Sequence, residues 1–265
     1  MRIIIPLDGS LRAEAVLHPL TVLARRALAP ISVTLVAVQE TAGTDAHLPS
    51  YLAAIRQRAD LVPFTVETVQ VTGEPAASIC AIAAQRQATL ILMASHMATL
   101  DPLTGESVAE MVARCSQMPT LIVRPDGMAF PDLPRFTPLT MGVILAEARC
   151  EVAVVASCIP LAQAFDANLL LLHSRADTNE AEDARAYAKL TVLAHDIEQQ
   201  GIAATRMVTH VPAATQLAAM IASGQIAIIA LPLLAEGAMR QKAIGASILR
   251  DVNAPTLLFH APICP

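Results

Sequence analysis

The sequence has no tryptophan, and tyrosine and phenylalanine are so scarce that aromatic residues make up 3% of its 265 positions. It is also short of positive charge: 18 lysines and arginines face 23 aspartates and glutamates, a net charge of -5. With neither a basic stripe nor interleaved aromatics, nothing stands ready to neutralise a nucleic-acid backbone, which excludes a general nucleic-acid binder. Long apolar runs are missing too, although 54% of residues are hydrophobic and only 15% charged. The best candidates, Ile226 to Ala235 and Leu169 to Leu172, are strand-sized. They fall short of the roughly 18 to 20 residues of a membrane-spanning helix, so no membrane segment is expected. The cysteines, at positions 80, 115, 150, 158 and 264, form no Cys-x-x-Cys or Cys/His ligand spacing and are odd in number. They read as buried free thiols in a reducing compartment, with neither a disulfide nor a metal. Met1 leads directly into an apolar strand, so a cytoplasmic protein without a signal peptide is expected.

What is present is a pattern used twice. Leu90 to Arg124 holds a short apolar run, a loop with Pro102 and Gly105, an amphipathic helix from Ser107, and a second apolar run. That is the last βαβ unit of a parallel sheet. It returns later in the chain, with Ala94 matched by Ala230, Arg114 by Arg250, and Pro119-Thr120-Leu121 by Pro255-Thr256-Leu257. The repeat divides the chain into two domains of about 130 residues, each long enough to bury a core. The boundaries are 1–124 and 139–265, joined by a segment over 125–138 that carries Pro125, Pro131, Pro134 and Pro138.

In order, the first copy reads as strand Arg2 to Leu7, the turn Asp8-Gly9-Ser10, and a helix from about Leu11 to Ala27 that Pro19 should make irregular. Strand Ile31 to Val38, helix Ser50 to Asp60, strand Phe64 to Val71 and a helix opening at Gly73-Glu74-Pro75 follow. The second copy runs strand Thr140 to Ala146, helix Cys150 to Phe165, strand Asn168 to His173 and helix Glu180 to Gln200. Asn179 with Glu182 fits the reciprocal capping pattern at the start of that last helix. Strand Thr205 to Thr209, helix Pro212 to Ser223 and the repeated βαβ unit complete it. Alternating strands and helices throughout specify the α/β class.

Pro-Leu-Asp-Gly-Ser at the first strand end, Gly73-x-Pro75, Met-Ala-Ser-His at 93–96, Gly-x-Ser-Val-Ala-Glu at 105–110 and Pro-Thr-Leu-Ile-Val-Arg at 119–124 together resemble the universal stress protein family. The resemblance spans the chain as a tandem pair, with the first copy the closer match. It implies two Rossmann-like, doubly wound domains, each a five-stranded parallel sheet of order 3-2-1-4-5 with helices on both faces. It also implies that the last strands of the two copies pair within the chain, as family dimers do between chains, so that the apolar segments Leu121 to Val123 and Leu257 to Phe259 are not left bare. A further homodimer stays open.

Family members that bind ATP carry Gly-x-x-Gly, a spacer, and then Gly-Ser or Gly-Thr, glycines that let the backbone approach phosphates at a helix N-terminus. Here Ala94 and Met97 stand at the first two glycine positions, the loop is one residue short, Gly105 is displaced and Glu106 takes the last glycine position. A carboxylate there repels phosphate by about 1 to 4 kcal/mol at contact distance. The resemblance makes Asp8 the contact to the nucleoside, Val38 the reader of the adenine edge, Ser107 beside Val108 the phosphate-binding hydroxyl, and His96 a possible phosphate donor. Each has a structural reading beside it: Asp8 ordering its own turn, Ser107 and Glu110 forming a capping box, His96 bonding backbone, Val38 filling core. The second copy departs further, with Ala146, Pro232, Leu233 and Ala243 at the matching positions and Lys242 as a solvated helix-start lysine. His173 and His210 read as structural. The leading expectation is a non-catalytic stress-response module with degenerate ATP motifs in both halves. The alternative is a binder of ATP or AMP, with Mg, through the first copy alone. No catalytic Ser/His/Asp spacing or lysine-bearing P-loop supports an enzyme, a weak ATP hydrolase being the nearest case.

Overall fold

A computed structural model describes residues 1–41, 47–58, 61, 63–95, 107–125, 127, 130–131, 137–145, 151–175, 178–233, 252 and 254–260. The chain divides into two compact units, Met1–Ala129 and Phe130–Pro265, at a point inside the proline-bearing segment.

Unit 1 contains strands β1 (Arg2–Pro6), β2 (Ser32–Gln39), β3 (Thr65–Thr72), β4 (Leu90–Ala94) and β5 (Thr120–Val123). All pair in parallel, in the order β3-β2-β1-β4-β5. Ile3, Ile4 and Ile5 are consecutive and at most 1% exposed. Since neighbouring strand residues point to opposite faces, both faces of the sheet must be covered, which is why β1 reads as an unbroken apolar run. The outer strand β3 keeps polar side chains in solvent, in keeping with its Thr-Val-Glu-Thr-Val-Gln sequence.

The cover comes from α1 (Leu17–Ala24), α2 (Leu48–Arg56), α3 (Pro75–Gln85) and α4 (Val108–Cys115). The irregularity expected at Pro19 takes the form of a 3-10 turn, Ala13–Val16, before α1. Pro19 then sits in the first turn of α1, where its missing N–H breaks no intrahelical bond.

Unit 2 repeats the plan with β6 (Leu139–Ile144), β7 (Ala167–Ser174), β8 (Ala204–Thr209), β9 (Ile228–Leu233) and β10 (Thr256–His260), again all parallel, in the order β8-β7-β6-β9-β10. Helices α5 (Glu151–Ala164), α6 (Glu180–Glu198) and α7 (Ala213–Ala222) connect them, and the last helix expected from the repeat lies outside the described residues. Each unit therefore has the strand order 3-2-1-4-5. At the start of α6, Asn179 accepts from the amides of Ala181 and Glu182, but Glu182 does not reach back. Its carboxylate pairs with Arg175, so the cap is one-sided.

One expectation is overturned. Cys80 and Cys115 are joined in a disulfide rather than free. They lie on the facing sides of packed helices α3 and α4, with Cα atoms 6.5 Å apart and a sequence separation of 35. That juxtaposition is created by helix packing, and no local spacing encodes it. Cys158 follows the expectation: it is free and fully buried, and burial pushes its thiol up to about 12. Among the described residues, no helix is long and apolar enough to cross a membrane.

Candidate functional site

In unit 1, β1 connects outward to β2 on one side while β4 lies on its other side, so the carboxyl ends of β1 and β4 flank the point where the strand order reverses. Connections leaving in opposite directions open a crevice there. A cavity of about 490 Å³ occupies it, within the usual range of small-molecule pockets. Its walls come from the ends of β1, β2 and β4 and from the starts of α3 and α4.

Asp8, Val38, Ala94, Ser107 and Val108 all line this cavity. Five candidate residues scattered over the first copy are thus brought together. His96 and Gly105 lie outside the described residues, as do Met97 and Glu106, and in unit 2 Ala146, Lys242 and Ala243.

Asp8 is exposed, and its Oδ1 accepts from the Ser10 amide at 2.9 Å, so it orders the turn while leaving its second oxygen available. The turn depends on Gly9, which has φ +87° and whose missing side chain leaves room for His47; a Cβ there would lie 2.9 Å from His47 Nε2. Val38 is half-buried on β2, and Ala94 ends β4.

Ser107 is buried and caps α4. Its Oγ accepts from the Glu110 amide at 3.2 Å, while Glu110 Oε2 accepts from the Ser107 amide at 2.9 Å. The capping box read from the sequence is present. The same hydroxyl lies 3.2 Å from Ser95 Oγ, tying the end of β4 to the start of α4.

Three lining residues, Glu40, Thr41 and Ser95, carry polar groups that sequence reasoning did not select. Ser95 follows β4 directly, and Glu40 and Thr41 follow β2. Their position just past the carboxyl ends of strands is the signal that could have found them. Beyond the lining residues, Tyr51 on α2 adds to the picture of a carboxylate-rich neighbourhood. Burial, then the charges of Glu14 and Asp8, hold its phenol above the ordinary value, so it stays protonated.

Unit 2 differs at the equivalent place. Pro232 and Leu233, aligned with His96 and Met97, lie within β9 and pair with Phe259 and His260 of β10. Around the ends of β7 and β8 the polar groups bind one another: His210 Nε2 lies 3.0 Å from Asp183 Oδ2, and His173 Nδ1 lies 3.9 Å from Glu151. Among the described residues no group of histidine, cysteine and acidic side chains is arranged to hold a metal ion.

Burial lowers the His173 pKa below 6.5, with the Glu151 carboxylate opposing in part. In the unfolded chain the same imidazole takes up a proton near pH 6.5. The unfolded state therefore binds more protons below that pH, and stability should hold above about pH 6.5 and fall as pH drops through it. Denaturant midpoints at about pH 7.5 and 5.5 should show a larger drop for the parent protein than for His173→Gln. Equal drops would remove His173 from the account.

Residues 1–124 match the sequence model of the Universal stress protein family. No curated protein matches the chain. Among solved structures, a universal stress protein from Archaeoglobus fulgidus DSM 4304 is 17% identical, with 98% of this chain and 96% of that one covered at a TM-score of 0.69. A putative universal stress protein from Pseudomonas aeruginosa UCBPP-PA14 is 12% identical, with 98% and 93% covered at a TM-score of 0.66. A universal stress protein solved in complex with cAMP is 20% identical over 48% of this chain and 98% of its own, with a TM-score of 0.40. Residues 1–124, just under half of the chain, are thus similar in sequence to the universal stress protein family, and the rest of the chain carries the same strand order again.

Proposed function

We propose that this protein is a non-catalytic stress-response module in which unit 1 keeps a ligand cavity and both halves have lost the phosphate-binding motif. The observation that carries this reading is the α4 N-terminus. Where a nucleotide phosphate would be expected to meet a row of open amides, the Ser107 and Glu110 amides are bonded within the capping box, and the Val108 and Ala109 amides are left. Sequence adds to it, since Ala94, Met97 and Glu106 replace the glycines of the binding motif. Calorimetric titration of the whole protein with Mg-ATP is expected to give no micromolar binding, and incubation with Mg-ATP no turnover above background. Micromolar Mg-ATP binding, or turnover lost in a His96→Ala variant, would overturn the reading.

A second reading is favoured by one specific observation: Asp8, Val38 and Ser107 still line a single cavity. It makes unit 1 a sensor of ATP or AMP, with one site per chain, and predicts that Asp8→Ala abolishes the heat of binding. Removing a carboxylate that accepts from a ligand hydroxyl costs about 1.5 to 3 kcal/mol, roughly a 10- to 100-fold loss in affinity.

A further inference from the structure

Resting on the reading that unit 1 keeps a ligand cavity without a phosphate site, we infer that this cavity takes a phosphate-free ligand of the nucleoside class, and that Glu40 is the residue that sets the preference. The inference starts from the charges in the wall. Among its described residues the cavity presents two carboxylates, Asp8 and Glu40, and no lysine, arginine or histidine. Wall hydroxyls come from Thr41, Ser95 and Ser107, and the floor is apolar, with Leu7, Val36 and Met93.

The two helix N-termini that open on the cavity offer little to an anion. At α3, Pro75 has no amide hydrogen, Glu74 carboxylate oxygens accept from Ala76 at 2.9 Å and Ala77 at 2.6 Å, and the Ser78 amide donates to the Glu74 carbonyl. All four first-turn positions are accounted for. At α4, the amides of Ser107, Glu110 and Met111 are bonded within the cap and first turn, leaving those of Val108 and Ala109. Among the described lining residues, a phosphate entering this space would meet two carboxylates and no side-chain cation.

Position gives Glu40 its role. Val36 and Val38 share one face of β2, and Glu40, just past the end of the strand at Gln39, lines the same cavity. A flat apolar body lying over the two valines would have its far end at the Glu40 carboxylate, while Asp8 serves the end of β1. Carboxylate oxygens accept hydrogen bonds, so the ligand must donate at both ends. An amino-substituted base joined to a sugar diol does so; the same molecule bearing a phosphate brings like charge into the site.

The test is calorimetry on the full chain with adenosine, AMP and Mg-ATP in low-salt buffer, for the parent protein and Glu40→Gln. Adenosine is expected to bind, AMP on the order of tenfold more weakly, and Mg-ATP more weakly still. Glu40→Gln keeps the size of the side chain and removes its charge, so the adenosine-to-AMP ratio should contract to about threefold or less. A purely structural Glu40 would shift all three ligands together. AMP binding as tightly as adenosine in the parent, an unchanged ratio in Glu40→Gln, or no heat with adenosine up to millimolar concentration would overturn the inference. Absence of all binding leaves the non-catalytic module standing, whereas ATP turnover with adenosine still preferred overturns only that reading.

Discussion

Replacing Cys80 and Cys115 together by serine is expected to destabilise unit 1 by about 3 to 4 kcal/mol, and reduction of the parent protein should do the same. The size follows from the closed loop. The bond joins residues 35 apart, and without it the unfolded chain regains the freedom that the closure removed. Against a typical domain stability of about 5 to 15 kcal/mol, that is a large share. The measurement is a pair of denaturant titrations of the parent, with and without dithiothreitol, beside the double serine variant. Reduced parent and variant should coincide and both fall below the oxidised parent. An oxidised parent no more stable than the variant would show that the bond adds nothing. Buried Cys158, whose thiol is held up to about 12, should stay unreactive while unit 2 is folded and so leave the comparison clean.

The bond also bears on the site. Pro75 and Ile79 of α3 and Ser107, Val108 and Ala109 of α4 all line the cavity, so the two walls are covalently linked. Ligand affinity measured under reducing and oxidising conditions should therefore be compared at temperatures where unit 1 remains folded in both.

The reading of the fold succeeded where local sequence and burial agree. The central strands are covered on both faces, so Ile3 to Ile5 and Leu169 to Leu172 show as short apolar runs whatever their neighbours do. Ser107 and Glu110 were legible for a similar reason, because a capping box is made within one turn. Asn179 and Glu182 have the same spacing, yet Arg175, brought across by the end of β7, takes the glutamate away. A local pattern states what is available, and tertiary neighbours decide what is used. The disulfide and Glu40 were missed on the same ground. Cys80 meets Cys115 only because α3 packs on α4, and Glu40 reaches the cavity only because the chain leaving β2 passes along its rim. Asp8, Val38 and Ser107 were found through a family resemblance rather than from their own chemistry. Asp8 and Ser107 also hold structural hydrogen bonds that their residue types would predict unaided.

The loop ahead of α4 offers a way to separate two sources of phosphate rejection. Glu106 immediately precedes the Ser107 cap in sequence, and Met97 stands where binders have glycine. Substituting both, as Met97→Gly with Glu106→Gly, removes one carboxylate and one bulky side chain while leaving the Ser107–Glu110 cap and the cavity wall intact. Loss of a Coulomb repulsion of about 1 to 4 kcal/mol corresponds to a gain in Mg-ATP affinity of roughly 5- to 700-fold, with added glycine freedom drawing the value toward the lower end. Because Glu40 follows β2 while Met97 and Glu106 belong to the segment between β4 and α4, its removal should act on the same ligand independently. The triple variant with Glu40→Gln is then expected to bind Mg-ATP with close to the sum of the two free-energy gains. If the double glycine variant gains nothing while Glu40→Gln does, the rejection resides in the strand-end carboxylates. If the glycines alone restore micromolar binding, the loop is its seat and the wall charges are tolerated. Equal adenosine affinity in the parent and the double glycine variant would show that the loop substitutions act on the phosphate and leave the nucleoside end of the site as it was.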